Sequence, residues 1–164
     1  MRIINLPTFW TILLDIFMWF IIHMGVVYGI TSISRERFKP EAWLYRGRKW
    51  EQYGSFYERF FRIKTWKWRL PDGASWMKDR GFPKKTLQAR SGPYLLVFQK
   101  ETCRAEITHW ITMFFSPLFF FWNPLWVGFF MIFYAVGENL PLIIAQRYNR
   151  ARLNKIIEKK TERI

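Results

Sequence analysis

Glu101-Thr102-Cys103-Arg104-Ala105-Glu106-Ile107-Thr108-His109-Trp110-Ile111-Thr112-Met113-Phe114-Phe115 opens one apolar run, and Asn139-Leu140-Pro141-Leu142-Ile143-Ile144-Ala145-Gln146-Arg147-Tyr148-Asn149-Arg150-Ala151-Arg152-Leu153 closes another. Glu, His, Asn and Gln seldom sit at the ends of such long hydrophobic runs in a soluble protein, where they stay mostly at the surface. They suit an enzyme that works at the face of a bilayer. Reading outward, the pattern predicts three membrane spans. The first covers residues 9–32, about 36 Å as a helix, and holds Asp15 and His23. The second covers 107–122 and the third 125–146, with Glu138 and Asn139 inside it. Trp122-Asn123-Pro124 is a tight connection between them, because Pro cannot continue a helix and Asn suits a turn.

Composition supports this reading. The chain has 164 residues, 51% of them hydrophobic and 21% aromatic, with 26 Lys+Arg against 12 Asp+Glu. Its mean hydropathy is near zero because greasy segments and a basic middle average out. A charge of +14 fits nucleic acid taken alone. The apolar runs make anionic lipid headgroups the better partner, so no nucleic acid is expected. The single Cys103 forms no intramolecular disulfide. Met1 to Thr8 is weakly charged and the run that follows is too long for a signal peptide, so no cleavable leader is expected. Lys and Arg number 18 from Arg35 to Arg104 and 7 from Arg147 to Arg163, with Arg2 alone before the first span. Positive charge gathers on the cytoplasmic side. This predicts a multi-pass protein with the N-terminus outside and the C-terminus in the cytoplasm.

The segment 34–104 is then cytoplasmic and partly interfacial. Trp50, Tyr53, Tyr57, Phe60 and Phe61 recur at helical spacing among Arg59, Arg62, Lys64, Lys67 and Arg69. The spacing predicts an amphipathic helix, aromatics toward lipid and cations at the headgroups; the alternative is a helix packed on the spans. Pro71-Asp72-Gly73, Gly81-Phe82-Pro83 and Ser91-Gly92-Pro93 are breaks. Pro93 at a first helical position starts a helix that runs through Tyr94, Leu95 and Phe98 into the second span. Pro117 ends or kinks it. The expected fold is all-α, about three transmembrane helices plus the basic, aromatic interfacial segment, in one membrane domain over residues 1–164 with a basic tail from residue 147.

Two clusters carry candidate chemistry. Thr102, Glu106, His109 and Met113 fall at steps of four, three and four, on one helical face. His is suited to base work near neutral pH, and a carboxylate beside it orients it or stabilises its cation. The same spacing also serves a structural His–Glu pair. A Glu-x-x-His metal site in a helical bundle needs the motif twice plus two more carboxylates; one copy occurs, and no metal is expected. In the third span Asn139, Gln146, Asn149 and Arg150 form a second stripe that has to face inward or line a cavity. Pro141 releases the Gly137 carbonyl and makes room there. The arginines that follow snorkel to lipid phosphates or hold a substrate's phosphate or oxyanion. Cys103 beside Arg104 is a weaker nucleophile candidate.

At these clusters the sequence resembles the glycosyl-4,4'-diaponeurosporenoate acyltransferase family. Glu101-Thr102-x-Arg104-Ala105-Glu106-x-x-His109-Trp110 is similar to its first block, and the stretch from Asn139 to Leu153 to its second. Trp66-Lys67 and Leu70-Pro71-Asp72-Gly73 add a weaker similarity. The chain differs in a richer aromatic content and around Ser91–Pro93. The resemblance implies transfer of a fatty acyl group to a primary hydroxyl of a sugar carried by a carotenoid acid, in the bacterial cytoplasmic membrane. In the expected arrangement His109 removes the hydroxyl proton and Glu106 orients His109. Arg104, Arg147 and Arg150 hold the phosphates of an acyl-CoA or acyl-carrier-protein donor, or the oxyanion. Asn139, Gln146 and Asn149 position the polar head of a glycolipid acceptor, with Asp72 as a lesser candidate near the interface. The chemistry needs no cofactor. Another lipid-modifying transferase, or a non-enzymatic membrane subunit, stays open on the residues alone, as does the oligomeric state.

Overall fold

The computed structural model describes residues 4–71, 81–84 and 86–162. Every regular element among them is helical. The long helices are α1 (Thr8–Ser32), α4 (Gly92–Phe114) and α5 (Leu125–Thr161), and two short ones, α2 (Ser55–Phe60) and α3 (Ile63–Trp66), lie between α1 and α4. As the prolines predict, α4 begins at the Gly92-Pro93 step and stops before Pro117, which falls in a 3-10 helix over Ser116–Phe121. Pro141 lies inside α5 without ending it.

α1 and α5 are long and apolar enough to cross a membrane, and only 22% of the apolar stretch of each is buried. A core helix of a soluble protein would show the reverse. Phe9, Trp10, Ile16, Phe17 and Phe20 on α1, with Trp126, Phe130 and Phe133 on α5, stand exposed. A surface this apolar has to be covered by lipid or by another chain.

The chain divides into two compact units. The first comprises Met1–Ser32 and Ile107–Pro141. Trp19, Ile22 and Val26 repeat at helical spacing on α1 and pack with Phe119, Trp122 and Ala135; the Trp19 and Phe119 rings stack at 4.7 Å. Asp15 sits one turn before Trp19 on the same face and is buried. Its Oδ1 accepts from Trp122 Nε1 and Asn123 Nδ2, each at 2.7 Å. Those two donors satisfy one oxygen of a carboxylate that would otherwise be very unfavourable among apolar side chains. They also tie down the turn expected at Trp122-Asn123-Pro124.

The second unit comprises Ile33–Glu106 and Leu142–Ile164. Here the continuous amphipathic helix expected around residues 50–64 is replaced by short pieces: a 3-10 helix over Lys49–Gly54, then α2, α3 and a 3-10 turn over Lys67–Arg69. Left-handed backbone makes the breaks, at Gln52 (φ 46°), Tyr53 (φ 53°), Gly54 (φ 96°) and Arg62 (φ 47°). The reason lies in packing. Tyr57 and Ile63 are buried against Ile144, Ala145 and Tyr148 of α5, and a straight helix cannot turn both inward. A second apolar contact joins Leu95 and Phe98 of α4 to Leu153 of α5. Trp43, Trp50, Phe60 and Trp68 remain exposed among the cations.

Candidate functional site

In the first unit α4 contributes His109 and α5 contributes Asn139. The Asn139 amide is fixed by its own helix, because Nδ2 donates to the Ala135 carbonyl one turn earlier, at 2.9 Å. A carbonyl only accepts, so the amide nitrogen faces Ala135 and Oδ1 faces away. Oδ1 lies 3.0 Å from His109 Nδ1. It too can only accept, so Nδ1 carries the proton of the neutral imidazole and the lone pair falls on Nε2. Asn139 is almost fully buried, which protects this bond from competing water. The pair is thus a histidine whose tautomer is set by the amide, with the lone pair on Nε2.

The same unit holds the other histidine. His23 Nδ1 lies 2.8 Å from the Trp19 carbonyl, so it donates there, and Nε2 lies 3.3 Å from Glu138 Oε1. Asp15 and His23 therefore have separate partners.

In the second unit Glu106 of α4 is fully buried. Both of its carboxylate oxygens accept from arginines of α5. Arg147 Nη1 reaches Oε1 at 3.0 Å and Arg150 Nη2 reaches Oε2. Arg147 also donates through Nε to Glu51 Oε1 at 3.0 Å and through Nη1 to the Leu44 carbonyl at 3.1 Å. Arg150 donates through Nε to the Tyr45 carbonyl at 2.8 Å. Tyr57 donates its hydroxyl to Glu51 Oε1 at 2.6 Å. Two guanidinium groups thus face two carboxylates in a buried network. Burial, and then Glu51, push the Tyr57 phenol well above its ordinary range, and burial first of all pushes the Tyr45 phenol up to about 12. Arg104 pairs with Glu101 at 2.8 Å.

The expected residues thus form one grouping in each unit: His109 with Asn139, and Glu106 with Arg147 and Arg150. The partner at His109 Nδ1 is Asn139, where the spacing suggested Glu106. Gln146 is buried and its Oε1 has no hydrogen-bond partner. Asn149 accepts from Lys67 through Oδ1 and donates through Nδ2 to the Lys84 carbonyl at 3.2 Å. Asp72 lies outside the described residues. Among the described residues, no three His, Cys, Asp or Glu side chains cluster in a way that would hold a metal ion. Sequence reasoning missed Glu51, Tyr57 and Tyr45. They sit in the aromatic middle, and no local spacing links them to arginines about a hundred residues later.

Membrane-length apolar helices, a histidine–amide pair and a buried guanidinium–carboxylate network describe a helical protein with polar chemistry set among apolar helices. The chain belongs to the glycosyl-4,4'-diaponeurosporenoate acyltransferase family, whose sequence profile matches residues 41–159. It is 30% identical over 148 residues to the glycosyl-4,4'-diaponeurosporenoate acyltransferase of Staphylococcus aureus strain Newman, covering 88% of each chain. It is 29% identical over 139 residues to the enzyme of the same name from strain USA300, covering 85% of this chain and 83% of the relative. No solved structure matches it. The chain is accordingly an acyltransferase, and its relatives' names place them in carotenoid biosynthesis.

Proposed function

We propose that the protein transfers a fatty acyl group from a thioester donor, acyl-CoA or acyl carrier protein, to a sugar hydroxyl of a glycosylated carotenoid or related glycolipid. The observation that carries the reading is the His109–Asn139 pair, which presents an unprotonated Nε2. Nε2 takes the hydroxyl proton as the sugar oxygen attacks the thioester carbonyl carbon. The carbonyl electron pair moves to oxygen and forms the tetrahedral oxyanion. On its collapse the C–S bond breaks, and the imidazolium returns its proton to the departing sulfur. Asn139 holds the imidazole in one tautomer and stabilises its cation, the part an amide or carboxylate plays in other histidine-based sites.

The roles of the second unit follow from its network. Glu106, Arg147 and Arg150 form a framework whose guanidinium groups, with Arg104, bind the phosphates of the donor. The unpartnered Gln146 oxygen accepts from a hydroxyl of the polar head, which relieves a buried unsatisfied acceptor. Asp72 serves the polar head in this proposal. The apolar tails of both substrates lie in the bilayer, with three spans, the N-terminus outside and the C-terminus in the cytoplasm of the bacterial membrane.

The test is turnover by the purified full chain in lipid nanodiscs, supplied with a glycosylated carotenoid acid and palmitoyl-CoA and read by mass spectrometry. The expected product is the acceptor plus one palmitoyl group, absent with His109→Gln. Full turnover by His109→Gln refutes the assignment of the base. A mass change other than an acyl group points to a different lipid-modifying transferase.

A further inference from the structure

Arg104, Arg147 and Arg150 each face a carboxylate of their own unit: Glu101 for the first, Glu51 and Glu106 for the second, Glu106 for the third. Their charge is balanced inside the protein. Lys67 is different. It follows α3 directly and is half-buried. Its Nζ donates to Asn149 Oδ1 and lies 5.4 Å from the centre of the Tyr148 ring. Among the described residues no carboxylate pairs with it. Burial alone pushes its ammonium below the ordinary lysine range.

The surroundings of Lys67 are built to hold it in place. Asn149 spends its amide nitrogen on the Lys84 carbonyl, so its oxygen is committed to Lys67. Tyr148 donates its hydroxyl to Glu58 Oε1 at 2.8 Å, which fixes the ring that the ammonium faces. An ammonium has three N–H donors and the amide uses one. Taking a cation partly out of water is unfavourable unless an anion, or enough dipoles, replace the water. One amide oxygen and one ring face make up only part of that loss.

We propose that Lys67 is an anion-binding residue, held by Asn149 and Tyr148 to receive a phosphate oxygen. Two sources carry that chemistry: the phosphate that bears the pantetheine arm of an acyl donor, and the phosphate of a membrane phospholipid. The proposal rests on the acyl-transfer reading only for which molecule brings the phosphate. Asn149 then acts through Lys67, as a positioning residue.

The experiment uses the full chain purified in detergent micelles and titrated separately with coenzyme A and with dihexanoyl-phosphatidylglycerol. Lys67→Gln keeps a donor for Asn149 and removes the charge; Lys67→Arg keeps the charge. The expected result is a loss of about tenfold or more in affinity for one probe with Lys67→Gln, largely restored by Lys67→Arg. Without probe, Lys67→Gln should melt at the wild-type temperature or above it, since an unbalanced charge is gone. Loss confined to coenzyme A assigns the site to the donor, and loss confined to the phospholipid assigns it to a lipid phosphate. Unchanged affinity for both probes in Lys67→Gln, or no binding of either by the wild type, overturns the proposal. Acyl transfer to a glycosylated carotenoid acid is assayed apart from binding. Failure of that assay with Lys67-dependent binding intact leaves the anion site standing, and the converse leaves the acyl-transfer reading standing.

Discussion

Asn139 shows how much one amide settles. Its nitrogen is spent on Ala135, its oxygen faces His109, and the proton on the imidazole follows. Asn139→Leu removes the acceptor and frees the ring to rotate or change tautomer. We expect kcat to fall about 100-fold with KM within about twofold, measured by steady-state turnover in nanodiscs; an unchanged kcat would show that the tautomer does not matter. Glu106 calls for a different assay. Glu106→Ala leaves Arg150 buried with its carboxylate partner gone, and a broken buried pair of this kind destabilises by about 3–5 kcal/mol. Unfolding in detergent should register that loss, with Glu106→Gln well short of it because an acceptor oxygen remains. The tyrosines add a pH dependence. Tyr45 titrates near 12 when folded against about 10 unfolded, so the folded state keeps its proton longer. Its stabilising contribution is intact below about pH 10 and declines as pH rises toward 12, by about 1.4 kcal/mol per pH unit. Tyr45→Phe should flatten the alkaline fall in melting temperature; an unaltered slope would show that Tyr45 does not drive it.

The elements differ in how openly the sequence declares them. Pro93, Pro117 and Pro124 mark real boundaries, because a missing N–H and a fixed φ act locally whatever the tertiary fold does. The apolar periodicity of α1 is equally local. The middle segment departs from its helical spacing: its aromatics satisfy a helical repeat while its breaks fall at Gln52, Tyr53 and Arg62. None of these is glycine, and Gln52 accepts hydrogen bonds from Ser55 and Arg59 within the same segment. Gly54 was the visible clue. At φ 96° it favours glycine, and a Cβ there would sit 3.1 Å from the Tyr148 ring and 3.2 Å from Arg152 Cδ. Gly54→Ala combines backbone strain with that crowding and should destabilise by about 1–3 kcal/mol. A melting temperature equal to wild type would mean that the Lys49–Gly54 turn relaxes freely. The site was legible in part for the same reason. Residue types at the ends of the apolar runs were visible, but their partners were not. Asp15 meets Trp122 and Asn123, and Arg147 meets Glu51. Such pairings depend on how helices far apart in sequence come together.

At the scale of the whole molecule, the asymmetry of charge makes a claim about orientation. Eighteen Lys and Arg lie from Arg35 to Arg104 and seven more from Arg147 to Arg163, against Arg2 alone before α1. The proposed three spans and the positive-inside rule together predict the middle and the tail in the cytoplasm and the N-terminus outside. The chain itself supplies a quiet background for the test. Cys103, its single cysteine, is fully buried, and burial pushes its thiol up to about 11, so almost no thiolate exists near neutral pH. A membrane-impermeant maleimide should therefore leave the wild type unlabelled in intact cells. Asn5→Cys should be labelled from outside, whereas Glu41→Cys and Lys160→Cys should react only once the membrane is opened. These three positions are exposed, so protection reports the bilayer rather than folding. Labelling of Lys160→Cys and Asn5→Cys from the same side would leave an even number of crossings. The α4 segment after Glu106 would then not span, and the second span would have to be redrawn as a helix lying at the interface.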